Sequence, residues 1–349
     1  CIPNNRLGFQ LLTLVEEDDV GNFLISPTSL MMALGMVYNG ADGNTKKEIA
    51  EAMQLKGIDV KTFNQANASL MMMLDKHTDH LTLAVANSIW MNDQFRAQER
   101  YTHITRDYFN AKVQEVSMAD VKTPDLINEW VIQRTNGTIE KLIEGPLNED
   151  VVAVLMNAIY FKGNWTFPFD KSLTEDRPFY KEDGETVEVP LMYLNEELPY
   201  MENEYFQAVR LPYGETENLS MHLFLPKENE TLESFYDHLT IDNWISWKHN
   251  FRIKAGSVLL PKFKLDYESD LVQPLKRLGM TAAFDKNLAE FPHMIEEDEQ
   301  IYISEVKQKT YIDVNEAGTE ASAATSIEMR LTSAPADGPF HMEVNRPFF

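Results

Sequence analysis

Asp75, His77, Asp79 and His80 put two carboxylates and two imidazoles, all potential zinc ligands, close together in the chain. Two histidines three residues apart with no third placed ligand make a poor tetrahedral set. The solvated end of a helix is therefore expected there, and no metal. The acidic run at 296–299 lacks the glycine and the ligand spacing of a calcium loop, and reads as a solvated loop. No G-x-S-x-G elbow, H-E-x-x-H helix, phosphate-binding glycine loop or G-x-G-x-x-G turn occurs. The expectation is a protein that is not an enzyme and needs no cofactor. Sequons at Asn67, Asn136, Asn164, Asn218 and Asn229 are read as chance matches.

The most distinctive pattern in the chain lies in residues 316–333 (EAGTEASAATSIEMRLTS), which read like a strand left out of its sheet. From Thr319, alternate positions collect Thr319, Ala321, Ala323, Thr325, Ile327, Met329 and Leu331. The other parity collects Glu320, Ser322, Ala324, Ser326, Glu328 and Arg330. One face is small or apolar and the other mostly polar, as in a half-buried strand. Yet Ala, Ser and Glu are weak strand formers and common in flexible segments. The segment can pair without being obliged to, and a linker or a short helix fits the same composition.

The chain has 349 residues, 44% hydrophobic and 25% charged, which is globular composition, and no apolar run reaches membrane-spanning length. Thirty-one basic and fifty-five acidic residues give a net charge of −24, which opposes binding to nucleic acid or to a polyanion such as heparin. Cys1 is the only cysteine, so packing rather than an internal disulfide must hold the fold. It leaves the compartment open: an extracellular or cell-envelope site is expected, with the cytoplasm as the alternative. Truncation or processing before Cys1 is the expected reading of the abrupt start, with a lipid attachment point as the other.

Several elements can be read around that stretch. Phe9, Leu11, Leu12 and Val15 form a short helical stripe. Ser26-Pro27 caps and opens a helix that runs to Gly40. Thr45 and Glu48 match a capping box for the next helix, and Phe63 with residues 70–74 marks a third. Residues 81–91 read as a strand and 127–143 as a helix. Residues 151–161 are an apolar run of the kind buried on both faces, with Asn157 alone in its middle. A buried amide without partners costs about 1–3 kcal/mol, so Asn157 should hold a specific hydrogen-bond network. A hairpin spans 179–189 with a two-residue turn at Asp183-Gly184. Strands follow at 206–211, 219–225 and 258–265, a helix at 270–278, and a long strand at 300–314 that leads into residue 316. No repeat and no linker separates two cores, so a mixed α+β chain in a single domain, residues 1–349, is expected.

Taken together, several stretches resemble the serpin family over nearly the whole chain. Residues 22–29 (NFLISPTS) look like the opening of the family's second helix, and 40–45 (GADGNT) like the turn after it. Residues 157–165 (NAIYFKGNW) are similar to a central strand and its tryptophan turn. Residues 260–263 (LPKF), 278–281 (LGMT) and 345–348 (NRPF) are also family-like, and 316–324 (EAGTEASAA) resembles the hinge of an inhibitory reactive loop.

The resemblance implies three β-sheets with about nine helices, and an exposed loop at about 316–340 that a serine protease cleaves. The cleaved loop then inserts into the central sheet. The alternation adds which face would point inward: Thr319 and its parity, with Glu320, Ser322 and Glu328 outward. Gly318 supplies hinge freedom beside Glu316, Thr319, Glu320, Ala321, Ser322, Ala323 and Ala324. Roughly ten new hydrogen bonds at about 0.5–1.5 kcal/mol each give on the order of 5–15 kcal/mol, comparable to a domain's stability. Such a release can displace a protease's catalytic atoms, and about 1 Å of misplacement costs on the order of a hundredfold in rate.

Counting in the family register puts the scissile bond at Thr332-Ser333, which favours elastase-like or subtilisin-like targets. Cleavage after Arg330 would instead suit trypsin-like proteases, and after Leu331 chymotrypsin-like ones. The resemblance also implies that Ser26, Ser29 and Asn157 line the place where the central strands part, and that the loop first enters at Trp165. Where the family usually has a histidine, this chain has Gln308, which cannot titrate near neutrality, so no histidine-driven pH switch is expected there. The family continues past the position of Phe349 with further hydrophobic strands. A monomer is expected, with polymerisation through loop–sheet exchange as its failure mode.

Two further expectations follow. A latent state would have the uncleaved loop already in the sheet; Thr325 in solvent together with direct pairing of strands 151–161 and 300–314 would contradict it. The alternative function is a non-inhibitory serpin acting as carrier, chaperone or storage protein. Bulky or charged inward hinge residues would favour that alternative, and Thr319, Ala321 and Ala323 favour the inhibitor.

Overall fold

The structure is a computed structural model that describes residues 2–16, 21–74, 81–145, 147–215, 218–319 and 338–349. The expectations at Asp75, His77, Asp79 and His80, and those from Glu320 through Ala324 and at Arg330, Leu331, Thr332 and Ser333, lie outside the described residues. The described α-helices are α1 (Ile2–Glu16), α2 (Pro27–Gly40), α3 (Gly43–Ala52), α4 (Val60–Leu74), α5 (Glu99–Phe109), α6 (Thr123–Arg134), α7 (Leu232–His238), α8 (Ile241–Asn250) and α9 (Val272–Arg277). The strands are β1 (Leu81–Asn92), β2 (Lys112–Val116), β3 (Ala153–Asn164), β4 (Glu175–Tyr180), β5 (Thr186–Glu202), β6 (Phe206–Tyr213) and β7 (Leu219–Pro226). They continue with β8 (Arg252–Pro261), β9 (Phe263–Asp270), β10 (Glu305–Asn315), β11 (Gly318–Thr319) and β12 (Phe340–Glu343).

Among the described residues these strands make two six-stranded sheets. One has the order β2-β1-β3-β11-β10-β9; the other has β12-β8-β5-β6-β7, with β4 on β5. None of the described helices is long and apolar enough to cross a membrane. By its internal contacts the chain divides into two compact units. The first is Cys1–His77, Leu83–Tyr160 and Leu265–Tyr311; the second is Thr78–Thr82, Phe161–Lys264 and Ile312–Phe349.

In the first unit the alternation of β3 decides what covers it. Ala153 and Leu155 pack with Leu30, Leu34 and Val37 of α2, whereas Val154, Met156, Ala158 and Tyr160 pack with Ile127, Trp130 and Val131 of α6. Both faces are therefore buried, as the apolar run predicts. Helix α2 starts where its residues dictate: Ser26 is extended and its hydroxyl accepts the Ser29 N–H at 3.3 Å, and Pro27 fills a position whose N–H would lack a partner.

Two local expectations in this unit are corrected. Helix α3 begins at Gly43, so Thr45 and Glu48 form no capping box. The Thr45 hydroxyl instead accepts the Glu290 N–H at 3.0 Å, and the Glu48 carboxylate accepts the N–H groups of Thr281 and Ala282. Helix α6 ends at Arg134 rather than near 143. Asn136 and Gly137 turn left-handed (φ 52° and 80°), and the Asn128 side chain accepts the N–H groups of Leu142 and Ile143 in place of helical partners.

In the second unit β5 is the spine, antiparallel to β4, β6 and β8. The predicted hairpin forms, with a three-residue loop between Lys181 and Glu185 instead of a two-residue turn; Gly184 takes φ 83°. The single strand expected at 258–265 is two strands. β8 ends at Pro261 beside β5, and β9 starts at Phe263 beside β10, with the Lys262 N–H donating to Pro190 O between them. Alternation shows which residues are buried in a strand, but not that two consecutive runs serve different sheets.

Candidate functional site

In the second unit, the hinge of the 316–333 stretch is built into the sheet. Gly318 and Thr319 pair antiparallel with Asn164 and Gly163 of β3 on one side and with Asn315 and Val314 of β10 on the other. A tight turn at Glu316 and Ala317 makes this reversal. At Gly318 (φ 155°) a Cβ would lie 2.1 Å from Gly163 O, so backbone angle and space both require glycine.

Aromatic rings hold this hinge. Trp165 donates its indole N–H to Asn315 O at 2.9 Å and its backbone N–H to Ala317 O at 3.0 Å. Its ring stacks on Tyr213 with centroids 4.4 Å apart. The Tyr213 hydroxyl bonds the Thr319 hydroxyl at 2.9 Å, and Thr319 is fully buried. Burial pushes the Tyr213 pKa well up, against the opposing pull of the Thr319 bond, so the phenol stays neutral.

Glu316 anchors the turn. Its carboxylate accepts from Lys262 Nζ at 3.1 Å and from the Thr174 hydroxyl at 3.0 Å, and its carbonyl accepts the Phe169 N–H at 2.8 Å. Burial raises the carboxyl pKa, but the residue's own N–H, the Lys262 ammonium and the Thr174 hydroxyl together outweigh it and hold the group below its ordinary 4.5. A depressed folded pKa means stability that is complete above the ordinary value and lost as pH falls through the lower folded one. Glu316→Gln should therefore lower the unfolding temperature by roughly 2–4 °C at neutral pH, with the gap to the parent closing below pH 4.5. Thermal unfolding of both chains from pH 7 to pH 3 checks this; a gap independent of pH would contradict it.

In the first unit, Ser26, Ser29, Asn157 and Gln308 come together in one polar cluster, in which Ser29, Asn157 and Gln308 are buried and Ser26 is half-buried. Gln308 stands opposite Asn157 in the parallel β10–β3 register and donates to its carbonyl oxygen at 2.8 Å. Gln308 also closes a two-way bond with the Ser26 backbone, accepting its N–H at 2.9 Å and donating to its carbonyl at 3.2 Å. Asn157 donates to Asn87 Oδ1 at 2.7 Å and to Ser29 O at 3.4 Å. Asn157 and Gln308 are each 1% exposed. The Thr310 hydroxyl ties β10 further, to Leu24 O at 2.8 Å and Tyr267 O at 3.3 Å.

Above and below this cluster β3 and β10 pair directly, residues 154–160 with 305–311. This direct pairing leaves no place for a strand between them in that span, which contradicts the expected latent arrangement; Thr325, its other marker, lies outside the described residues. Among the described residues no three His, Cys, Asp or Glu side chains converge as metal ligands.

Sequence reasoning missed Asn87, Tyr213, Lys262 and Thr174. Asn87 carries part of the signal that revealed Asn157, an amide inside a strand, but Ser88 follows it and Asn92 ends the same strand, so it does not stand out alone. Lys262 and Thr174 are ordinary surface types, 54 and 142 positions from Glu316, and nothing in the sequence ties them to it.

The chain matches the family described as serpin (serine protease inhibitor) over residues 3–349. A serpin-like protein of Methanosarcina acetivorans is 32% identical over 349 residues, covering 97% of this chain and 80% of its own. The native-state crystal structure of the thermophilic serpin tengpin superposes with a TM-score of 0.89 at 31% identity, over 99% of this chain and 88% of that one. Human thyroxine-binding globulin complexed with its hormone reaches 0.90 over 99% and 92%, at 24% identity, a likeness of fold alone.

Proposed function

The chain belongs to the serpin family, and from that premise we propose that it inhibits serine proteases as a suicide substrate. The serine hydroxyl of the protease attacks the Thr332 carbonyl and the Thr332-Ser333 bond breaks. The protease's own base passes the serine proton to the leaving Ser333 amine, and an ester joins Thr332 to the protease. Residues from Thr319 onward then extend β11 between β3 and β10, carrying the acylated protease away from its catalytic geometry.

The observation that supports this reading most is the placement of β11. It is a two-residue strand already antiparallel to both neighbours, and β3 and β10 pair directly with each other at 154–160 and 305–311. Insertion exchanges one parallel ladder for two antiparallel ones, a net gain of one ladder. With seven paired positions, at about 0.5–1.5 kcal/mol per hydrogen bond, the gain is on the order of 3–10 kcal/mol. The small inward residues after Thr319 let the sheet close over the new strand.

The proposal includes a monomer acting in an extracellular or cell-envelope setting, without heparin, since a chain of net charge −24 repels polyanions. A carrier, chaperone or storage role is the second reading, since thyroxine-binding globulin shares the fold. Incubation with elastase-like, subtilisin-like, trypsin-like and chymotrypsin-like proteases separates the two. The inhibitor reading expects a complex that survives denaturant and a released fragment beginning at Ser333. A fragment beginning at Leu331 or Thr332 would move the bond to Arg330 or Leu331, and no complex with any protease would favour the second reading.

A further inference from the structure

The two sides of β10 are held by different chemistry. Toward β3 no ion pair can form along the paired span, because residues 153–161 carry no charge; that interface is backbone hydrogen bonds and the neutral Gln308–Asn157 bond. Toward β9 there is a ladder of charge. Lys309 Nζ lies 3.3 Å from Asp266 and 3.9 Å from Glu268, and Lys307 Nζ lies 4.0 Å from Glu268. Glu305 on β10 completes it, 3.6 Å from Lys307. The lysine side chains are 24% and 14% exposed but Glu268 and Asp266 are 39% and 54% exposed, so each pair alone is screened, and the weight rests on the network of two ammonium groups with three carboxylates. The Thr310 hydroxyl adds its bond to Tyr267 O on the β9 side.

The inhibitory reading parts the sheet at β3–β10; we propose that Lys307 and Lys309 are positioning residues that rivet β9 to β10 during that opening. The assignment rests on the inhibitory reading and deepens it. A strand entering the sheet will separate whichever interface resists least. Both interfaces of β10 carry a backbone ladder, so the side chains decide. A wrong opening between β10 and β9 would leave the loop without its antiparallel partner on β3, and the acylated protease would be released instead of trapped.

The test is charge reversal with rescue. Lys307→Glu with Lys309→Glu sets like charges against Glu268, Asp266 and Glu305; adding Asp266→Lys and Glu268→Lys restores opposite signs across the same pair of strands. Two readouts are taken on the full chain. One is the amount of chain consumed per protease trapped; the other is the rise in unfolding temperature when the loop is cut by a protease that is not trapped. The reversal variant should consume at least threefold more chain per trapped protease, with an unchanged rate of loop cleavage and a smaller rise in unfolding temperature. The four-substitution variant should return both towards the parent. A variant that was only destabilised would lose starting stability without changing the split between trapping and release. Trapping unaltered by reversal, or not recovered in a rescued chain of parental stability, overturns the assignment. A parent that neither traps protease nor gains stability on cleavage overturns the inhibitory reading and this assignment together.

Discussion

Thr319→Arg is expected to abolish trapping while leaving loop cleavage intact, so that an inhibitor becomes a substrate. The Thr319 side chain is fully buried and hydrogen-bonded to Tyr213, itself stacked on Trp165. An arginine cannot share that space, and an unpaired buried charge costs several kcal/mol, far more than a two-residue strand returns. β11 should leave the sheet, and the loop would then lack its antiparallel start. The amount of chain consumed per trapped protease should rise at least tenfold, and the denaturant-stable complex should fade from gels. The helix-covered cores of the first unit do not contain Thr319, so the fold should survive the change. A variant that trapped protease as well as its parent would defeat the insertion argument.

Asn157→Ala should have the second largest effect, on the closed sheet itself. The substitution takes the donor from Asn87 Oδ1 and the acceptor from Gln308 Nε2, and it removes the side-chain bond that joins β3 to β10. Each buried group left without a partner costs about 1–3 kcal/mol. The unfolding temperature should fall by several degrees, and the β3–β10 interface should open more readily. On warming, oligomers formed by loop–sheet exchange should then appear at temperatures where the parent stays monomeric. Thermal unfolding and native gels report both effects; a variant with parental stability and no oligomers would mean that the amide network does not hold the strands together.

Much of this arrangement was legible in the sequence, for a reason that particular residues make clear. Asn157 stood out because a lone amide inside an apolar strand is costly unless bonded, and the structure supplies its bonds. The parity of 316–333 put Thr319 on the inward face of an inserted loop, and Thr319 is already buried in the uncleaved chain; the residues after it lie outside the described residues. What stayed hidden depends on long-range geometry. Ile139, Leu142 and Ile143 are buried at helical spacing and extended the predicted helix too far, although Gly137 was a stop signal. The run 258–265 read as one strand because period-two burial is the same in either sheet. The anchor of Glu316 could not be foreseen, since Lys262 and Thr174 meet it only through the fold.

The central claim is that cleavage turns the stretch after Thr319 into a sheet strand, and hydrogen–deuterium exchange before and after cleavage measures it most directly. The account predicts that in the cleaved chain the amides of residues 320–331 become as protected as those of β3 and β10, which keep their own protection on gaining a new partner. Exchange in residues 320–331 that cleavage leaves unchanged would contradict it.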